Sequence, residues 1–126
     1  MKKMLFLILI LSVVSFSKGD FEASEDILEK QFEIEYSVIS DGKTQIKDIE
    51  YDLTISQNRA ILELEIESTF GDANWSKLDK QIFEKVIFKL VKSIRSEVNN
   101  PKLDVTVFVK LDKKIGSDKT LFNKTY

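Results

Sequence analysis

Glu63, Glu65 and Glu67 alternate with Leu62, Leu64 and Ile66, so on a strand the carboxylates share one face and the aliphatic side chains the other. Carboxylates in such a row can act as an acid/base pair, coordinate a hard cation or attract a cationic partner. Acid/base work needs a cleft that desolvates one carboxyl more than its neighbour, and no nucleophile or base motif accompanies the row. No loop has the ligand spacing of an EF-hand, and no metal is expected. Like charges facing each other across a sheet are destabilising, so the arrangement has a cost that solubility or a partner must justify.

Residue types that the chain lacks narrow the chemistry further. With no His and no Cys, Ser-His-Asp and Cys-His catalysis, thiolate metal sites and disulfides are all excluded. The four glycines, Gly19, Gly42, Gly71 and Gly116, are isolated, and none belongs to a phosphate-cradling loop. No cofactor is expected.

The elements that would position the carboxylates follow from periodicity. From Gln31, Phe32, Ile34, Tyr36 and Val38 alternate with Glu33, Glu35 and Ser37, which predicts a first strand, and the Asp-Gly in "SDGKT" predicts a turn after it. Ile49, Tyr51, Leu53 and Ile55, set against Asp48, Glu50, Asp52 and Thr54, predict a second strand. The third is the stretch containing the glutamate row. Their links are too short for crossovers, so an antiparallel meander is expected.

Between Gly71 and Pro101 the period changes. Leu78, Ile82, Val86, Leu90, Ile94 and Val98 recur every four residues, with Phe83, Ile87 and Val91 on a second ridge. This predicts one long amphipathic helix capped by Asn74 or Ser76, with Asp79 in capping-box position, and ended by Asn99, Asn100 and Pro101. Trp75 falls on its inner arc as a plug at the helix entrance. Leu103, Val105, Val107, Val109 and Leu111 then mark a fourth strand, parallel to the third. The remainder is either a loose tail or a turn at Gly116 to Asp118 leading into a fifth strand with Leu121 and Phe122. The expected fold is α+β: a two-layer sandwich with a largely antiparallel four-stranded sheet, ordered β-β-β-α-β, under one long helix.

The N-terminus has the form of an export signal: two lysines, a thirteen-residue apolar run from Met4 to Phe16, and small residues at Ser15 and Ser17. The run is short of the roughly 20 residues that span a bilayer. Residues 1–17 are therefore expected to be a signal peptide and 18–30 a linker or short helix. Residues 31–126 would form a single domain, with no membrane anchor after cleavage, in the periplasm or outside the cell. The Lys-led leader and the Lys-, Ile- and Asn-rich body have a bacterial character.

If the helix covers the apolar parity, the open face of the sheet presents Glu33, Glu35, Glu50, Glu63, Glu65 and Glu67, with Asp48, Asp52, Asp104 and Asp112, against Lys102 and Lys110. Residues 18–70 hold five basic and fourteen acidic side chains, a balance of −9, and residues 71–126 hold twelve and seven, a balance of +5. Phe88, among the lysines of the helix, and Phe108, on the acidic face, are the aromatic candidates for an interface. The expected function is that of a small exported, non-catalytic interaction protein of the inhibitor, immunity or envelope-accessory kind. Its partner would be a protein with a basic surface or a second copy of the chain, and not nucleic acid. The alternatives are a carboxylate-based hydrolase and a self-associating structural module of the envelope.

Overall fold

The computed structural model describes residues 21–113 and 116–126; the expected signal peptide and the first residues of the expected linker lie outside them. The fold is α+β, and the described residues form nine elements in the order α1 (Glu22–Glu35), β1 (Ile39–Ser40), β2 (Gln45–Ile46), β3 (Glu50–Ile55), β4 (Arg59–Glu67), α2 (Ser68–Lys77), α3 (Lys80–Glu97), β5 (Asp104–Asp112) and β6 (Lys119–Thr125). The main sheet has the order β3-β4-β5-β6, and β1 and β2 form a separate two-stranded hairpin. β3 and β4 are antiparallel, β4 and β5 parallel, and β5 and β6 antiparallel. The segment from α2 through α3 is the crossover that the parallel pair requires.

Strict alternation in β3, β4 and β5 produces the two faces. Tyr51, Leu53 and Ile55, then Ala60, Leu62, Leu64 and Ile66, then Val105, Val107, Val109 and Leu111 are all buried. They meet Phe83, Ile87, Leu90, Val91 and Ile94 of α3 in one core. Of the two apolar ridges on this helix, the second faces the sheet more squarely: Ile82, Val86 and Val98 on the first are only half-buried.

The first predicted strand is a helix. Leu28 and Phe32 of α1 are buried, and Tyr36 just beyond it is half-buried, a stripe at i, i+4 and i+8 that a helix presents on one side. Ile34, which alternation would place in the core, is 77 % exposed. Glu, Gln, Lys and Leu in this segment are good helix formers, and their preference agrees with the four-residue stripe. α1 also runs through the expected boundary between residues 30 and 31. Of the first hairpin only the Asp-Gly turn and two pairs, Ile39 with Ile46 and Ser40 with Gln45, remain.

The single long helix is two. Leu78 adopts extended geometry and Asp79 caps α3, its Oδ1 accepting from the Gln81 N–H at 2.9 Å and the Ile82 N–H at 3.4 Å. The Lys80 ammonium donates to the carbonyls of Trp75 and Leu78, the latter at 3.0 Å, and so satisfies acceptors that the end of α2 leaves open. The far end of α3 closes as the two asparagines predict. Asn99 takes a left-handed φ of 54°, its N–H donates to Ser96 and that of Asn100 to Arg95, which is a Schellman cap.

The tail forms a strand. Phe122 of β6 meets Phe83 at 5.4 Å and Trp75 at 6.1 Å between ring centroids, and Trp75 meets Phe83 at 4.9 Å, all edge to face. Trp75 is buried, on α2 rather than on the long helix. The Glu84 carboxylate on α3 accepts from the Lys124 ammonium at 2.8 Å and the Tyr126 hydroxyl at 2.7 Å, and these bonds hold its carboxyl below the ordinary value.

Candidate functional site: the open face of the sheet

The helices pack on one side of the main sheet, and the opposite parity of its strands carries the charge. Register fixes the neighbours. Glu50 stands opposite Glu65 and Asp52 opposite Glu63 across β3 and β4. Across β4 and β5, Glu63 faces Phe108, Glu65 faces Lys110 and Glu67 faces Asp112. Continuing to β6, Phe108 is followed by Asn123 and Lys110 by Thr120. Two rows result, Asp52-Glu63-Phe108-Asn123 and Glu50-Glu65-Lys110-Thr120. Acidity is therefore concentrated on β3 and β4, and the half contributed by β5 and β6 is nearly neutral.

Four carboxylates thus form a two-by-two block, Glu50 and Asp52 beside Glu63 and Glu65. The Lys110 ammonium lies 3.6 Å from Glu63 and 5.9 Å from the centre of the Phe108 ring. The Glu65 carboxyl is raised above its ordinary value, first by desolvation and then by the charges of Asp112, Glu50, Glu63 and Asp118. Neighbouring carboxylates thus add to the effect of burial on Glu65.

The block continues round the edge of the sheet. β3 is an edge strand, and α1 lies along it: Glu25 accepts from the Ile55 N–H and Glu29 from the Leu53 N–H, each at 2.7 Å. Burial raises the Glu29 carboxyl, opposed by the bond from Leu53 and reinforced by Asp52 and Asp26. Two carboxylates thus occupy edge donors that would otherwise be open to a further strand.

The structure brings together Glu50, Glu63 and Glu65 of the predicted residues, with Asp52 and Phe108 beside them. Glu67 stands at the end of β4, next to Asp112 and away from the block. Glu33 and Glu35 do not belong to the sheet: both are exposed on α1, because the segment that carries them is helical. Asp48 precedes β3, with a left-handed φ of 54°, and Lys102 precedes β5. Phe88 is on α3, 44 % exposed, with the Lys92 ammonium 5.0 Å from its ring centre. Glu25 and Glu29 were not legible as partners of β3, since no pattern within either segment shows which helix will lie along which edge.

Chemically, a raised carboxyl beside an ion-paired one is the material of general acid/base work. Among the described residues, a cleft of 220 Å³ lies between β2 and α2, lined in part by Asp48, Glu67 and Phe70, and Glu63 and Glu65 line neither it nor the clefts along α3 and at the end of the sheet. Among the described residues no group of three or more acidic side chains is placed to hold a metal ion, and no helix is long and apolar enough to cross a membrane. Comparison with protein-family models, with curated proteins and with solved structures gives no match.

Proposed function

We propose that this chain is an exported, non-catalytic binding protein that meets a basic protein surface with the carboxylate block of β3 and β4. The observation that carries the reading is the register: Glu50 opposite Glu65 and Asp52 opposite Glu63, where the charges of Glu50 and Glu63 add to the desolvation that raises the Glu65 carboxyl. Facing like charges cost stability. Solubility alone could be met by a nearly neutral polar surface, as on the β5 and β6 half of the same face with Lys110, Thr120 and Asn123. A cationic partner changes the sign of that cost: its charge relieves the mutual repulsion and is steered to the face by the same field. Phe108, half-buried in the row that holds Glu63, offers an apolar contact beside the charges.

Export rests on the leader, with its two lysines and apolar run from Met4 to Phe16, and places the encounter in the envelope or the medium. The reading is tested by affinity capture from envelope extracts with the wild type and with a Glu50→Gln, Glu63→Gln, Glu65→Gln variant. A partner retained by the first and lost by the second, while both give the same circular dichroism, supports the assignment. Equal retention by both refutes it.

A further inference from the structure

The outer surface of the helix layer carries a second pattern that owes nothing to the sheet face. α1 has six acidic residues and one lysine, and α3 has five basic residues and two glutamates. The two helices lie side by side. Ser24, at the start of α1, donates to Glu97, at the end of α3, at 3.3 Å. In the turn of the β1–β2 hairpin that follows α1, Asp41 accepts from the N–H of Asp79, the N-cap of α3, at 2.9 Å. α1 and α3 are therefore antiparallel neighbours of opposite charge.

Each also exposes apolar side chains where a surface helix is ordinarily polar. Ile27 and Ile34 on α1 are 56 % and 77 % exposed. Seven residues apart, they lie on one stripe with a spacing of about 10 Å. On α3 the exposed apolar residue is Phe88, and a shallow groove opens on either side of it along the helix. One, of 510 Å³, runs back past Lys85 toward Gln81, and the other, of 480 Å³, runs on past Lys92 to Pro101.

From this we infer that the helix layer is the interface of a two-fold dimer, in which α1 of one copy lies on α3 of the other. A two-fold axis in the plane of the interface and parallel to the helices exchanges α1 with α3 across it, so each acidic helix meets a basic one and the contact is made twice. The paired helices are again antiparallel. Ile27 and Ile34 enter the grooves on either side of Phe88, as knobs enter holes in helix packing. With Ser24 level with Glu97, Asp26 beside Ile27 faces Lys92, and Glu33 beside Ile34 faces Lys89. Pairing like helices instead, α1 on α1, would set six acids against six, and charge disfavours it.

This dimer is independent of the sheet-face reading and is tested separately, by sedimentation equilibrium of the protein purified from a host expressing the full-length chain. The wild type is expected to dimerise, with the dissociation constant rising steeply as salt is added. The acidic-helix reversal Asp26→Lys, Glu33→Lys and the basic-helix reversal Lys89→Glu, Lys92→Glu should each weaken the dimer by tenfold or more. An equimolar mixture of the two should form a 1:1 heterodimer, because each reversed helix then meets its complement. Phe88→Ser, which removes an exposed side chain and leaves every charge in place, should also weaken the dimer and gives the answer should a reversal variant fail to fold. Glu63→Gln, Glu65→Gln should leave it unchanged. A wild type that stays monomeric to millimolar concentration at low salt overturns the inference, and so does a dimer indifferent to Phe88→Ser or not restored in the mixture.

Discussion

Glu29 accepts a hydrogen bond from the Leu53 backbone N–H at 2.7 Å, joining a helix to the outer edge of a strand twenty-four positions later in the chain. Glu25 repeats the contact one turn earlier, with Ile55. Exposed edges are templates for further strands, and here carboxylates rather than a strand occupy the edge of β3. Replacing Glu29 with Ala should cost about 1.5–3 kcal/mol, the range for a bond to a charged acceptor. In hydrogen-exchange measurements the amide of Leu53 should lose protection before those of Leu62 and Leu64. Unchanged protection at Leu53 would show that the bond does not hold the edge.

The core makes a second prediction. Ile87 and Leu90 are wholly buried against the sheet, and Lys89 between them is exposed. Ile87→Asp or Leu90→Asp buries an unpaired carboxylate and should cost about 4 kcal/mol or more, enough to unfold a domain of this size. Measured on the monomer, at a concentration below the dimer's dissociation constant, Lys89→Glu should change stability by less than about 0.5 kcal/mol. Similar denaturation midpoints for all three would contradict the packing of α3 on the sheet.

Phe122 is what makes the tail a strand. It closes the ring cluster with Trp75 and Phe83, and each edge-to-face pair is worth about 0.5–1.5 kcal/mol beyond burial. Phe122→Ala should therefore release β6, seen as faster exchange at Asn123 and Thr125, before it affects β3. Simultaneous loss of protection in both strands would show that β6 belongs to the same cooperative unit as the rest of the sheet.

These contacts also show why parts of the fold were legible in the sequence and parts were not. β3, β4 and β5 alternate without interruption because one face of each meets the core and the other meets water, so the burial pattern is written locally. Phe32, Ile34, Tyr36 and Val38 alternate as well, yet Leu28 and Phe32 satisfy a helical stripe, and the choice between the periods is made by what the segment packs on. Leu78 continues a four-residue ridge and so conceals the break at Asp79, whose capping is recognisable only once the helix start is known. Phe122 has partners 39 and 47 positions earlier, which no local pattern reveals. The site divides in the same way. Which residues share the open face follows from parity, whereas the pairing of Glu50 with Glu65 depends on a register that the turn between β3 and β4 sets, and the loss of Glu33 and Glu35 from the face follows from the helical α1.

Acid should act through Asp41. Its carboxylate accepts from the backbone N–H groups of Thr44 at 2.7 Å, Lys43 at 2.8 Å and Asp79 at 2.9 Å, and these bonds lower its pKa from 3.8 to about 2. A carboxyl depressed in the folded state contributes stability above its unfolded value and loses it as the pH falls through the folded one. The contribution is therefore intact above about pH 4 and disappears toward pH 2. Glu65 and Glu29 are raised instead and act in the opposite sense: their protonation as the pH drops favours the fold. Asp41→Asn should flatten the acid limb of the stability curve below pH 4 and leave its slope between pH 5 and 7 unchanged, as read from denaturant titrations at each pH. An acid limb identical to that of the wild type would remove Asp41 as its source.

The most direct test of the proposed binding face is the association rate of the captured basic partner, measured across a salt series. Attraction between separated charges is screened over about 10 Å at 0.1 M salt and less as salt rises, so the wild-type rate should fall steeply with ionic strength. The Glu50→Gln, Glu63→Gln, Glu65→Gln variant should remain folded, with stability equal to or slightly above that of the wild type because facing like charges are gone. Its association should be slower at low salt, and the two rates should converge as salt is added. Equal rates at low salt would show that the carboxylates of β3 and β4 are a solvated surface and that the partner docks elsewhere.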